Sequence, residues 1–392
     1  MRTVLRGGRV IDPASGLDVI GDVVVDDGVI TAVAPSPPLA PEPGEVVIDC
    51  TDRLVVPGLI DLHVHVMPGL GDFCVGADEV GVDMGVPVVV DGGTSGVATF
   101  DLARRAVIDH PDTKTRVLAF LDPNQLYLAT KDFICHKLEI ANDDRNLDVD
   151  SFVASLERNA DVVVGAKVRA CWTTDPEVSP FLRAAQSALP DKPVMVHLGR
   201  FPHTPTISTP RLLTELRDGD IITHAFRGAG GMLTPDGGVI DEFRDAVARG
   251  VRLDIGHSGT DFRFRDARRL FDAGYLPHTI STDLNVFNIG GPVYSLTETM
   301  TKVWGMGVEL IDVLAMVTVN TATSIHHEHE LGSLAAGRTA EVSVLAVEHG
   351  AHDVSDGYET IGVERRLVPV GCLRAGAWFD AVGSSTRVPV AS

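Results

Sequence analysis

The sequence predicts an α/β chain built on a (β/α)8 barrel, with a small β-sandwich domain assembled from both termini. Three observations predict it. Eight short apolar runs alternate with longer amphipathic stretches through the middle of the chain. Strand-like segments occupy both ends. Histidine, lysine and aspartate stand where the apolar runs stop. The expected division is 1–57 and 331–392 for the two parts of the β domain and 58–330 for the barrel.

The first segment carries Val23-Val24-Val25 and Val29-Ile30-Thr31-Ala32-Val33, both rich in β-branched residues. Asp26-Asp27-Gly28 between them is turn chemistry, so the pair reads as a hairpin whose Asp-Gly supplies positive φ. The stretch from Pro35 to Pro43 reads as a linker or surface loop.

The eight runs are Leu59 to Leu62, Val86 to Val90, Val117 to Leu121, Val162 to Val164, Val194 to Val196, Ile221-Ile222, Val251 to Ile255 and Thr279-Ile280. Between them lie helix-like stretches such as Phe100 to Ile108, Phe181 to Leu189, Ile240 to Ala248 and Phe262 to Phe271. Such alternation implies a parallel sheet covered by helices. Eight units favour a closed barrel, with an open doubly wound sheet as the alternative that periodicity leaves standing. Beyond the barrel, Glu341-Val342-Ser343-Val344-Leu345 is strand-like again and can meet the N-terminal strands.

Composition narrows the function. A chain of 392 residues with 44% hydrophobic residues has ample material for a large core. The net charge of -21 excludes nucleic acid and anionic membrane as expected partners, because both require clustered Lys and Arg. Five scattered cysteines, Cys50, Cys74, Cys135, Cys171 and Cys372, form no C-x-x-C pair, which fits reduced thiols in a cytoplasmic protein. No apolar stretch follows the first charged residues and none reaches about 20 residues, so neither a signal peptide nor a membrane span is expected. Oligomeric state is left open, a homo-oligomer included.

Chemistry in a barrel sits at the C-terminal ends of its strands. The first run leads into His63-Val64-His65, the fourth into Lys167, the fifth into His197, the sixth into His224, the seventh into His257 and the eighth into Asp283. His63 and His65 lie two apart on a strand and share a face, so they can share a metal ion. By ligand type the metal is zinc, with manganese or iron as alternatives. A free lysine, with a pKa of about 10.4, is a cation; beside dications Lys167 would become neutral and could take up CO2 as an anionic carbamate. Taken singly, each residue also fits a packed histidine, a paired lysine or a capping aspartate. Six ligand-type residues at the ends of strands one, four, five, six and eight argue together for a metal centre.

With those residues in place, the chain resembles the amidohydrolase superfamily. Gly58-Leu59-Ile60-Asp61-Leu62-His63-Val64-His65 resembles its opening signature, and Leu331-Gly332 with Gly337-Arg338 its closing pattern, where Glu341 replaces a usual Asp. Gly165-Ala166-Lys167-Val168-Arg169-Ala170, Arg252 to His257 and Ile280 to Leu284 resemble a dihydroorotase-like amidohydrolase/deacetylase branch. The resemblance implies two divalent metals: His63, His65 and Asp283 on one, His197 and His224 on the other, carboxylated Lys167 bridging them. Met67 stands where dihydroorotases carry the Arg that grips the substrate carboxylate. The branch implies deacetylation of N-acetyl or O-acetyl α-substituted carboxylic acids.

The mechanism expected is hydrolysis by a metal-bound hydroxide, with metals lowering the water pKa from about 15.7 toward about 7. Asp283 would serve as general base, then acid. Arg169 could bind a substrate carboxylate through its planar fork, or stand behind the site. His257 could hydrogen-bond the small-molecule substrate. Cys171 reads as a buried thiol, and the run His326-His327-Glu328-His329-Glu330 as a solvated polar face. Specificity is expected in the loops Pro123 to Asn146 and Phe201 to Pro210. Two other readings are a cyclic amidase using the same metals and a non-catalytic homologue serving as an assembly subunit.

Overall fold

The computed structural model describes residues 1–35, 44–71, 73–126, 143–169, 179–198, 207–228 and 231–382, and the backbone of 390–391. The N-terminal strands are β1 (Arg2–Asp12), β2 (Leu17–Asp26), β3 (Val29–Pro35), β4 (Val46–Asp49) and β5 (Leu54–Pro57). The hairpin forms where it was read: β2 pairs antiparallel with β3, and Asp27 and Gly28 take φ of 46° and 81°. Most of the Pro35–Pro43 stretch lies outside the described residues.

Seven parallel strands follow in chain order: β6 (Ile60–Val64), β7 (Val88–Asp91), β8 (Arg116–Leu121), β9 (Val163–Arg169), β10 (Val194–His197), β11 (Ile221–Thr223) and β12 (Arg252–Leu253). Each neighbours its successor, as the alternation of runs requires. Helices Val97–Ala103 (continued by a π-helical turn at Arg104–Ile108), Pro180–Ala188, Asp241–Ala248 and Phe264–Asp272 lie at the predicted stretches. The second starts where local chemistry dictates. Ser179 accepts from Leu182 N–H, Pro180 takes the first turn, and Phe181, Leu182, Ala184 and Ala185 are buried.

The eighth run differs from expectation, because no strand is assigned at Thr279-Ile280. The segment bonds on both sides through isolated contacts instead. Ile255 N–H donates to Thr279 O and His257 N–H to Ser281 O, while Asp283 N–H donates to His63 O and His65 N–H to Leu284 O. Side chains explain the irregularity. The buried Asp254 carboxylate accepts the hydroxyls of Thr279 and Ser281, and the buried Asp61 carboxylate accepts from Thr282 N–H and hydroxyl. Such bonds compete with a regular ladder.

The two ends of the chain meet. β13 (Val342–Ser355), β14 (Thr360–Arg374) and β15 (Ala377–Asp380) join the N-terminal strands in the order β15-β14-β13-β5-β1-β2-β3. Where a sandwich was expected, hydrogen bonding runs through one mixed sheet of nine strands. β1 is the reason: its register shifts between Leu5 and Gly8, so Thr3–Arg6 pairs with β4 and Arg9-Val10 with β5. One strand thus serves both halves. Leu5, Val23, Ile30, Ile48, Val55, Val342 and Val370 pack in its buried cluster. Among the described residues no helix is long and apolar enough to cross a membrane.

Candidate metal centre

His63 lies in β6, Lys167 in β9 and His197 at the end of β10, while His224 directly follows β11 and Asp283 follows the bridging segment. These positions converge. Asp283 Oδ1 is 3.1 Å from His65 Nε2 and 3.5 Å from His63 Nε2, and its Oδ2 is 3.9 Å from His224 Nε2. Lys167 Nζ stands 2.9 Å from His63 Nε2 and donates to Gly92 O at 3.1 Å. The rings of His197 and His224 lie 4.5 Å apart, centroid to centroid. The ligand atoms of His63, His224 and Asp283 all fall within 4.8 Å of one another.

Neighbouring groups fix which nitrogen of each ring is available. The Thr223 hydroxyl donates to Asp254 Oδ2 at 2.7 Å, so it accepts from His63 Nδ1 at 3.1 Å. The Thr94 hydroxyl donates to Asp91 Oδ2 at 2.7 Å, so it accepts from His65 Nδ1 at 2.7 Å. Gly256 O can only accept, so His224 Nδ1 carries the proton at 2.6 Å. In all three rings Nε2 therefore keeps its lone pair and faces the Asp283 carboxylate. Outer hydrogen bonds of this kind orient metal-binding imidazoles.

Electrostatics agree with that assignment. Burial holds His63, His197 and His224 below the ordinary imidazole range, with Lys167 lowering His63 further and His224 lowering His197. Neutral imidazole is the ligand form. Burial, with Arg169 alongside, pulls the Lys167 amine down to about 7. Burial pushes Asp283 up to about 6 against the pull of His224 and Lys167.

The residues fit a divalent metal on structural grounds. His224 Nε2 and Asp283 Oδ1 are buried without a hydrogen-bond partner, an arrangement that a cation would satisfy. Both residues are held at positive φ, 65° and 55°, a left-handed conformation uncommon for non-glycine residues. The backbone also makes room. A Cβ on Gly92 would stand 2.1 Å from His63 Cδ2, and one on Gly93, at φ 79°, 2.4 Å from Lys167 Cβ.

Arg169 is buried at the end of β9 and donates through Nη1 to Asp122 Oδ2 at 2.8 Å. His257 is fully buried, and both ring nitrogens are engaged: Gly259 N–H donates to Nδ1 at 3.1 Å, and Lys302 Nζ lies 3.0 Å from Nε2. Sequence reasoning missed Thr223, Asp254, Thr94, Asp91, Gly92, Gly93 and Lys302. The string Asp91-Gly92-Gly93-Thr94 ends the second run, the same kind of position as every predicted ligand, and that signal could have found it. His327 and Arg116 both engage Glu330, away from the cluster. Cys135 and Cys171 lie outside the described residues, as do most of the loops expected to set specificity.

No family model matches the chain. It is 30% identical over 378 residues to a deacetylase of Brucella anthropi, covering 95% of this chain and 90% of the relative. A deacetylase of Agrobacterium fabrum is 31% identical over 346 residues, covering 87% and 82%. A crystal structure described as a dihydroorotase superposes with a TM-score of 0.83 at 27% identity, covering 97% of this chain and 99% of that one. Full-length similarity at that identity, on a fold that gathers histidines and an aspartate at its strand ends, shows that the chain is a hydrolytic enzyme belonging to the amidohydrolase superfamily.

Proposed function

We propose that the chain is a binuclear metal hydrolase that removes the acetyl group from N-acetyl or O-acetyl α-substituted carboxylic acids. The observation that carries this reading is the convergence of three imidazole Nε2 lone pairs, a buried amine and a partnerless carboxylate oxygen at one point. On this reading the seven-stranded sheet and segment 279–284 form a closed (β/α)8 barrel over 58–330, with 1–57 and 331–392 as the β domain. His63, His65 and Asp283 would hold one metal and His197 and His224 the other. Lys167 would be their shared ligand in the form of a carbamate, made by adding CO2 to its neutral amine and releasing one proton.

When bound, the metal pair supplies Lewis acidity to the acyl carbonyl and acidifies a water. The protein's own groups do the rest. Asp283 accepts the proton of the attacking water and returns it to the leaving nitrogen or oxygen. Water oxygen ends on the acetyl carbon, the bond to the leaving group breaks, and acetate departs. Arg169, buried at the end of β9, carries a planar guanidinium fork of the kind that suits a substrate carboxylate. His257, fully occupied by Gly259 and Lys302, supports the loop after β12 and reaches substrate only by giving up one of those bonds.

The names of the two curated relatives support deacetylation. The likeness to a dihydroorotase structure along nearly the whole chain favours a second reading, a cyclic amidase that opens imide or hydantoin rings. Met67 at the position of the carboxylate-gripping Arg weighs against it. The test is a panel of N-acetyl and O-acetyl derivatives of α-amino and α-hydroxy acids, with dihydroorotate and hydantoins, given to zinc-loaded protein. Acetate release with silent rings is expected. Ring opening without acetate release transfers the chain to the cyclic amidases.

A further inference from the structure

Asp283 is fixed through its peptide as well as its side chain. Its N–H donates to His63 O. Its carbonyl oxygen accepts two carboxamide N–H groups, from Asn285 Nδ2 at 2.8 Å and from Asn288 Nδ2 at 2.8 Å. Asn288 does more than Asn285. It is 2% exposed, and the same Nδ2 donates to Ser258 O at 2.9 Å while its Oδ1 accepts from Asn285 N–H at 2.9 Å. The partners leave one orientation of the amide: its nitrogen faces two carbonyl oxygens and its oxygen faces an N–H. Reversed, it would set oxygen against oxygen twice.

The two carbonyls that Asn288 joins belong to different loops. Asp283 follows the bridging segment, and Ser258 follows His257 in the loop after β12. Both residues sit at positive φ, 55° and 53°, conformations that surrounding bonds must hold in place. Ser258 N–H also donates to Thr282 O, so the loops are stitched directly beside the amide.

We infer that Asn288 is the positioning residue for Asp283: by bridging Asp283 O and Ser258 O it fixes the left-handed peptide from which the carboxylate reaches the histidine cluster. The inference rests on the reading of Asp283 as a metal ligand and proton carrier. Both polar atoms of the Asn288 amide are engaged by Asp283, Ser258 and Asn285, so its action runs through the Asp283 peptide. A carboxylate aimed from a fixed peptide has two side-chain torsions left to vary, which makes its placement reproducible from one turnover to the next.

The test uses the full chain and zinc itself. Asn288→Asp is isosteric and replaces the donating nitrogen with an oxygen facing two carbonyls. Asn288→Ser keeps a hydroxyl donor in less volume and serves if the aspartate variant does not fold. Zinc affinity is measured by competition with a chromophoric chelator, and kcat and KM on the N-acetyl substrate that wild type turns over best, well below the thermal midpoint of each variant. Expected are about tenfold weaker zinc binding at the weaker of two sites and a kcat lower by about tenfold or more, with KM within about threefold of wild type. Asn285→Ala, which leaves the Asn288 bridge in place, should lose less than either. Both Asn288 variants keeping wild-type zinc affinity and kcat, whatever their Tm, overturn the inference alone. A wild-type chain that takes up no zinc overturns the underlying reading and the inference with it.

Discussion

The Thr223 hydroxyl lies 3.1 Å from His63 Nδ1 and can serve that ring only as an acceptor, because its single proton is committed to Asp254 Oδ2 at 2.7 Å. Asp254 therefore reaches the candidate metal centre through one intervening hydroxyl, and it fixes the protonation of a ring that it does not touch. Thr94 and Asp91 repeat the device for His65.

Thr223→Val keeps the shape and removes the hydroxyl. His63 Nδ1 then loses its acceptor, and the neutral ring no longer has a reason to keep its lone pair on Nε2. Zinc affinity should fall by about 10-fold to 100-fold, the usual cost of removing an outer partner of a ligating histidine. Thr223→Ser should retain most of it. Chelator competition measures both. Equal affinity in wild type and Thr223→Val would show that the tautomer is set by something other than this hydroxyl.

Lys167 gives a spectroscopic prediction. Protein equilibrated with 13C-labelled bicarbonate and zinc should show a carbamate carbon resonance. Lys167→Arg, which cannot form a carbamate, should lack the resonance, and on the proposed reading its hydrolysis rate should fall by about a thousandfold or more. A wild-type spectrum without the resonance, in protein holding two metals, would remove the carbamate from the site.

The convergence of the candidate site was legible in the sequence for a geometric reason. A strand of a parallel sheet delivers the residues at its C-terminal end to a known edge, so locating the end of an apolar run also locates the side chain. His63, Lys167 and His197 lie on strands and obey that rule. His224 sits one residue past β11 in a left-handed turn, and Asp283 follows a segment with no assigned strand. Both were found because ligand chemistry stood near the end of a run, although the local backbone was not foreseen. Thr223, Thr94 and Asp254 were invisible because their role depends on contacts across neighbouring strands. Asp254 pairs with hydroxyls 31, 25 and 27 positions away in sequence, and nothing local distinguishes a threonine that relays a hydrogen bond from one that packs. The single mixed sheet was equally hidden, since it follows from a register shift in β1 that hydrophobic alternation does not encode.

Gly92 tests the close approach of backbone to ligand. Its added Cβ would meet the His63 ring at 2.1 Å, and a ring held by Thr223 and Lys167 has little freedom to retreat. Gly92→Ala should lower kcat by about 10-fold to 100-fold and reduce bound zinc. Gly362→Ala is the control, because nothing lies within 4 Å of its Cβ and its φ is not positive. Zinc content by elemental analysis separates the two. Normal loading in Gly92→Ala would mean that the ring can shift at no cost.

Glu341 supplies a stability prediction away from the site. Its side chain is 5% exposed, Oε2 has no hydrogen-bond partner, and burial pushes its carboxyl up to about 7, with Arg374 and Arg116 opposing. The folded chain therefore holds a proton that the unfolded chain has already released above about pH 4.3. Between that value and about 7 the unfolded state binds fewer protons, so stability from this group declines with rising pH. The contribution is complete below the unfolded value and absent above the folded one. Glu341→Gln removes the titration. At pH 8 the variant should be the more stable protein, by on the order of 2 kcal/mol, or several degrees in Tm. At pH 4.5 the two should unfold within about a degree of each other. Thermal unfolding of both proteins at both pH values decides the matter, and an equal offset at the two pH values would show that Glu341 is ionised throughout.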